Sequence, residues 1–132
     1  MNGITVMPDF FVDRIIRLQS KDDFFSGLSE KAKSGGGSIR GISTSDIKGG
    51  NAVNIAYSLA KLGMKTSLFT IADDIGLSIL KHVFSKFEES KINLRITRGK
   101  HGHTTAFEFL VDKVSSSKVN VMVSDVGDNV NF

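Results

Sequence analysis

Residues 48–56, Lys48-Gly49-Gly50-Asn51-Ala52-Val53-Asn54-Ile55-Ala56, put two glycines and two side-chain amides where a loop turns into an apolar helix. Glycine lets the backbone take φ > 0 and lets a ligand approach with no Cβ in the way. A helix that starts there opens with unpaired N–H groups aimed into the loop. A side-chain amide carries both donors and an acceptor, which matches hydroxyl groups that also do both. The chemistry on offer is close approach and hydrogen bonding of a small ligand at Gly49, Gly50 and Asn54. The competing use of the same residues is a tight loop with helix capping, and Asn51 reads as an N-cap rather than a ligand. A bare glycine pair before a helix says little. Leu62-Gly63 one helix later and Asp73-Asp74-Ile75-Gly76 beyond it make the string more specific.

Other reactive types are weaker. Asp73 and Asp74 follow a strand and precede a helix, which fits capping and dipole pairing better than a metal. His101-Gly102-His103 has a spacing found in some metal sites. It has no third ligand nearby in sequence, and Arg98 and Lys100 make the loop basic. There is no P-loop string and no second glycine-rich anion hole, so nothing here handles a nucleotide's phosphates. By residue type alone Asp13 is a solvated strand acid and Glu108 a solvent-facing strand residue.

The elements that must position these residues follow from periodicity. Residues 4–7 predict a buried strand, and 10–18 a strand at a sheet edge or in a lid. Ser20 offers an N-cap to a helix over 21–33, with Phe24, Phe25, Leu28 and Ala32 on one face, broken by Ser34-Gly35-Gly36-Gly37-Ser38. A short strand is expected at 38–43. The helix over 51–62 turns Ala52, Ile55, Ala56, Leu59 and Ala60 inward, and Gly63 is its left-handed stop. A strand at 66–71 precedes a helix over 75–89, with Leu80, Val83, Phe84 and Phe87 inward. Strands follow at 92–97, 104–112 and 119–124, with Ser115-Ser116-Ser117 as a hairpin turn. Strands alternating with helices predict right-handed βαβ units and a parallel sheet.

Composition bounds the class. The chain has 132 residues, 40% hydrophobic and 23% charged, ordinary for one globular domain with a moderate core. A net charge of +3, scattered among acids, excludes a nucleic-acid footprint. Ten phenylalanines against one tyrosine and no tryptophan favour core packing over base stacking. Zero cysteines exclude disulfides and thiolate metal sites and fit a cytoplasmic protein. No apolar run approaches the roughly 18 residues of a membrane span, and the start at Met1-Asn2-Gly3 does not read as a signal peptide.

The string over 48–76 resembles the N-terminal signature of the ribokinase-like (phosphofructokinase-B type) sugar kinases, in which a Gly-Gly loop leads into Asn-x-Ala on a helix. Ile4-Thr5-Val6-Met7-Pro8-Asp9-Phe10-Phe11-Val12-Asp13 is similar to that family's first strand and acidic turn. Thr104-Thr105-Ala106-Phe107 and Val126-Gly127-Asp128-Asn129 resemble later strand and loop positions. Departures are Asp73 where the family usually has glycine, Phe11 where it usually has asparagine, and a longer, more helical stretch over 19–47. Family members run to about twice this length, and their Asp-Thr-x-Gly-Ala-Gly-Asp motif, which supplies the catalytic base and the phosphate-binding helix end, does not occur here.

The resemblance implies an α/β fold: a partial doubly wound parallel sheet with flanking helices and a small β-sheet lid. It implies that residues 1–132 are a single N-terminal, sugar-binding half with lid strands near 10–18, 38–43 and 104–112. Asp13, Gly49, Gly50 and Asn54 then contact a sugar, Asp9 holds the turn, and Glu108 reaches the sugar from the lid or faces solvent. ATP and Mg are expected only for the complete kinase, so the chain is expected to be inactive alone. The alternative is a non-catalytic binding or oligomerisation module. Expected partners are a small-molecule sugar and further copies of the chain, joined through the lid or an exposed sheet edge, with no nucleic acid or membrane.

Overall fold

The strands and helices position the glycine loop as follows in a computed structural model, which describes residues 3–111 and 117–128. Ten elements run in the order β1 (Ile4–Val6), β2 (Phe11–Leu18), α1 (Lys21–Lys33), β3 (Ser43–Gly49), α2 (Asn51–Lys61), β4 (Thr66–Ala72), α3 (Asp74–Phe84), β5 (Ile92–Arg98), β6 (Gly102–Leu110) and β7 (Lys118–Asp125). They fall into two compact units. The first takes the residues up to Asp13, Ile47–Thr104 and those from Ser124 on; the second takes Arg14–Asp46 and Thr105–Val123.

The first unit is an α/β layer. Strands β1, β4 and β5 form a parallel sheet in that order, with Ile4 opposite Thr66 and Thr66 opposite Ile92. Strand side chains alternate between faces. On one face Val6, Leu68 and Ala72 meet Ala52, Val53 and Ala56 of α2 and Leu80 and Phe84 of α3 in a single apolar cluster. Both helices therefore cover the same side. The opposite side leaves Thr5, Phe69, Asn93, Arg95 and Thr97 exposed, where a sheet wound on both sides would be buried.

Strands β3, β2, β6 and β7 hydrogen-bond in that order in a second, four-stranded sheet. Within the second unit, α1 is capped as expected, the Ser20 hydroxyl accepting from the Asp23 N–H at 3.2 Å. Phe24 and Phe25 of α1 lie against Phe107 and Phe109 of β6, with ring centroids 6.1 and 6.2 Å apart. The outer strand β7 is exposed along its whole length, Val119, Val121, Met122 and Val123 included.

Two expected elements are corrected. The strand expected at 38–43 lies at Ser43–Gly49 instead. Its polar residues are tied to β2: the Arg14 guanidinium donates to both Asp46 oxygens at 2.8 Å, and Arg17 donates to the Ser45 hydroxyl at 3.0 Å. Ile39 and Ile42, within the expected span, line a cavity of the second unit. The helix expected over 75–89 ends at Phe84, where Ser85 turns back on the His82 carbonyl. Phe87 still packs, its ring 5.3 Å from Tyr57 and 6.1 Å from Phe84, so burial continued where the helix did not. The expected turn at Ser115 and Ser116, the strand end at Asp112 and the loop residue Asn129 lie outside the described residues. No helix among the described residues is long and apolar enough to cross a membrane.

Candidate functional site

Gly49 closes β3 and Gly50 opens α2 with φ +90°, a conformation that only glycine enters readily. A Cβ on Gly50 would stand 2.5 Å from the Asp9 carbonyl oxygen, and one on Gly49 would fall inside the Asp13 carboxylate. The glycine pair therefore exists to bring two stretches of the first unit into contact.

Asn51 is not the N-cap expected for it. Gly50 holds that position, with no side chain to cap. The Asp9 carboxylate does the work from 42 residues away, accepting the Asn51 N–H at 2.7 Å and the Ala52 N–H at 2.9 Å. A carboxylate on a helix N-terminus satisfies orphan donors and meets the positive end of the dipole. It also takes two of the N–H groups that the sequence seemed to offer a ligand.

Asp13, Lys48, Asn54, Tyr57, His82 and Lys86 line a cavity of about 790 Å³. Lys48 Nζ donates to Asn54 Oδ1 at 2.7 Å, fixing the amide so that its acceptor is used and its NH₂ donors remain. Asp13 supplies an acceptor against the glycine floor. An acceptor and donors side by side can meet a pair of neighbouring hydroxyls.

Glu108 belongs to the second unit, 3.0 Å from Lys118 Nζ and 3.7 Å from Arg17 Nε, and it lines a cavity of about 510 Å³ of that unit with Phe24, Ile42 and Phe109. Sequence reading missed Tyr57 and Lys86. The usable signal was spacing, because Asn54 and Tyr57 sit at i and i+3 on α2 and must share a face.

Asp73 caps α3 as expected, accepting the Gly76 N–H at 2.8 Å, and that bond holds its carboxyl below the usual range. His101 is 1% exposed, stacked on Phe10 at 5.0 Å and against His103 at 4.5 Å. Its Nδ1 lies 3.4 Å from Asp73 Oδ1 without the alignment for a hydrogen bond, and neither ring nitrogen has a hydrogen-bond partner among the described residues. No group of three or more potential ligands among the described residues could hold a metal ion.

Burial pushes the His101 pKa below the ordinary value of 6.5; Asp73 opposes the shift and His103 adds to it. The unfolded chain then binds the proton better than the folded one. The stability from neutral His101 is full above pH 6.5 and is lost as pH falls below it. Melting temperature should therefore drop between about pH 7.5 and about pH 5, above the range where the depressed carboxyls of Asp46, Asp73 and Asp125 begin to titrate. His101→Phe should flatten that slope while leaving stability near pH 7.5 unchanged. A slope of the same size in the variant would remove His101 as its source.

No protein-family model matches the sequence, and no curated protein matches it significantly. Solved structures do match in fold. A carbohydrate kinase from Agrobacterium tumefaciens is 16% identical with a TM-score of 0.60, covering 95% of this chain and 36% of its own. The ribokinase of Arabidopsis thaliana, solved with ribose and ATP, is 14% identical with a TM-score of 0.60 and the same coverage. An adenosine kinase from Sinorhizobium meliloti is 17% identical with a TM-score of 0.58, covering 98% of this chain and 41% of its own. The chain thus carries the ribokinase-like fold of carbohydrate kinases, over a span equal to 36–41% of the length of these three structures.

Proposed function

We propose that this chain is the sugar-binding portion of an ATP-dependent carbohydrate kinase, in which the complete protein transfers a phosphoryl group from ATP to a sugar hydroxyl. The observation that carries the reading is the Asp13 carboxylate seated on Gly49 in the same cavity as the Lys48–Asn54 pair, within a ribokinase-like fold. Asp13 accepts hydrogen bonds from sugar hydroxyls, Asn54 donates to their oxygens, and the bare Gly49 and Gly50 let the Asp13 carboxylate and the Asp9 turn pack close enough to form the site. Holding the acceptor in place is one half of phosphoryl transfer; charge stabilisation at the γ-phosphate and a base for the attacking hydroxyl are the other. In this reading ATP and Mg²⁺ are bound by the complete kinase, since the sequence carries no P-loop. The same reading takes the exposed edge of β7 as the surface through which copies of the chain associate.

The test is calorimetric titration of the chain with a panel of hexoses, pentoses and nucleosides, beside an ATP-dependent phosphorylation assay. At least one of these should bind, Asp13→Ala should weaken it by about tenfold or more through loss of a charged hydrogen-bond partner, and phosphorylation should stay at background. Absence of binding across the panel would favour the non-catalytic module instead. Turnover above background would overturn the assignment of catalysis to residues beyond this chain.

A further inference from the structure

The cavity of about 510 Å³ within the second unit has the size of a small-molecule site and an uneven lining. Leu18, Phe24, Ile42 and Phe109 give it an apolar wall. Leu18 and Phe109 come from β2 and β6, Phe24 from α1 and Ile42 from the segment that leads into β3, so the wall exists only once all of these have packed. The charged residues of the lining are Arg17, Asp23, Glu108 and Lys118. Lys118 Nζ stands 3.0 Å and Arg17 Nε 3.7 Å from the same Glu108 oxygen, Oε1. One carboxylate therefore serves two cations, and the group is left with a surplus positive charge.

Donors are in surplus there as well. Among the described residues Lys118 donates to Glu108 alone, and the Arg17 guanidinium hydrogen-bonds only the Ser45 hydroxyl, its contact with Glu108 being too long for a hydrogen bond. Asp23 is the opposite case. Its backbone N–H is tied to the Ser20 hydroxyl, but its carboxylate enters no hydrogen bond or ion pair among the described residues. One cavity thus holds cationic donors with room for a carboxylate, a free carboxylate with room for an ammonium, and an apolar wall. The lining charges cancel, so a zwitterion adds no unpaired charge. A simple carboxylate would bring a like charge beside Asp23, and a simple amine one beside Arg17 and Lys118.

We propose that the second unit binds a free apolar α-amino acid, its carboxylate on Arg17 and Lys118, its ammonium on Asp23 and its side chain against Phe24, Ile42 and Phe109. The guanidinium fork matches a carboxylate in geometry as well as charge. No residue of the proposed sugar contact takes part.

The chain is titrated calorimetrically with leucine and phenylalanine and with forms of each that lack one feature. Isocaproate and phenylpropionate have no ammonium, isoamylamine and phenethylamine no carboxylate, and glycine no side chain. At least one of the two amino acids should bind roughly tenfold or more tighter than each of its truncated forms, which lose a charged hydrogen-bond partner or the buried side chain. Asp23→Asn and Arg17→Gln, both at exposed positions and checked for intact fold by circular dichroism, should each bring that amino acid down to the level of the matching truncated form. Lys118→Gln repeats the cationic arm without touching the Ser45 bond. Absence of binding by both amino acids would overturn the proposal. So would a carboxylate or amine that binds as tightly as its parent amino acid, or an affinity unchanged in all three variants.

Discussion

Phe10→Ala should remove about 3–5 kcal/mol of stability, the range for truncating a fully buried aromatic residue. Phe10 is 0% exposed, it stacks on His101, and a Cβ on Gly76 would stand 2.9 Å from its ring. Its carbonyl also accepts the Gly102 N–H at 2.9 Å. The void left by alanine is therefore walled by glycine and backbone that cannot collapse into it. Against a typical total of 5–15 kcal/mol, such a loss should leave a measurable fraction of the chain unfolded at physiological temperature. Denaturant titration of Phe10→Ala beside Phe69→Ala is the check. Phe69 stands 40% exposed on the uncovered face of the parallel sheet, so its truncation should lose less than about 1 kcal/mol. Equal losses would mean that Phe10 is not the keystone its burial makes it.

The two loop glycines should fail in different ways. In Gly50→Ala the new methyl meets the Asp9 backbone and must also adopt φ +90°. A strained backbone of this kind costs roughly 1–3 kcal/mol, and the clash adds to it, so a total of about 3 kcal/mol or more is expected. The Asp9 cap on α2 would be displaced with it. In Gly49→Ala the nearest atoms to the methyl all belong to the Asp13 carboxylate, a side chain that can swing away. Stability should then fall little, while the sugar binding proposed above is lost because Asp13 leaves its place. Melting curves and titration on both variants separate the cases. A Gly49→Ala chain that binds as well as the parent would show that Asp13 need not sit on the glycine floor.

What could be read from the sequence was what is decided locally. Helix α1 was bounded correctly because Ser20 and the glycine run that follows Ser34 act on their immediate neighbours. The fold class was legible because β4, α3 and β5 form a contiguous unit whose alternation of periods needs no distant information. Strand β3 was misplaced because its residues are polar and its pairing depends on Arg14 and Arg17 from a strand formed 28–32 residues earlier. The end of α3 was overrun because the apolar pattern through Phe87 reports burial against Tyr57, not helix. The cap on α2 was unreadable for the same reason as β3: Asp9 is remote in sequence. At the site, Asp13 and Asn54 were found by motif and share a cavity, whereas Tyr57 and Lys86 meet only once α2 has packed beside α3. Glu108 was singled out by its strand position, and the structure gives it Lys118 and Arg17 for company.

Each of the four strands β3, β2, β6 and β7 starts in one compact unit and finishes in the other. Neither unit is thus a continuous length of polypeptide, and this governs how the chain comes off the ribosome. Residue 4 waits for residue 66 before β1 has a neighbour, and Phe10 waits for Gly102. Contacts so distant along the chain slow folding, because loop closure must come before their reward. During synthesis at roughly 5–20 residues per second, the first strands spend several seconds without their partners. Helix α1 carries its own cap and its own stop, so its local signals are complete within that interval. The nascent chain accordingly carries unpaired strand edges until β7, the last strand of the four-stranded sheet, has emerged.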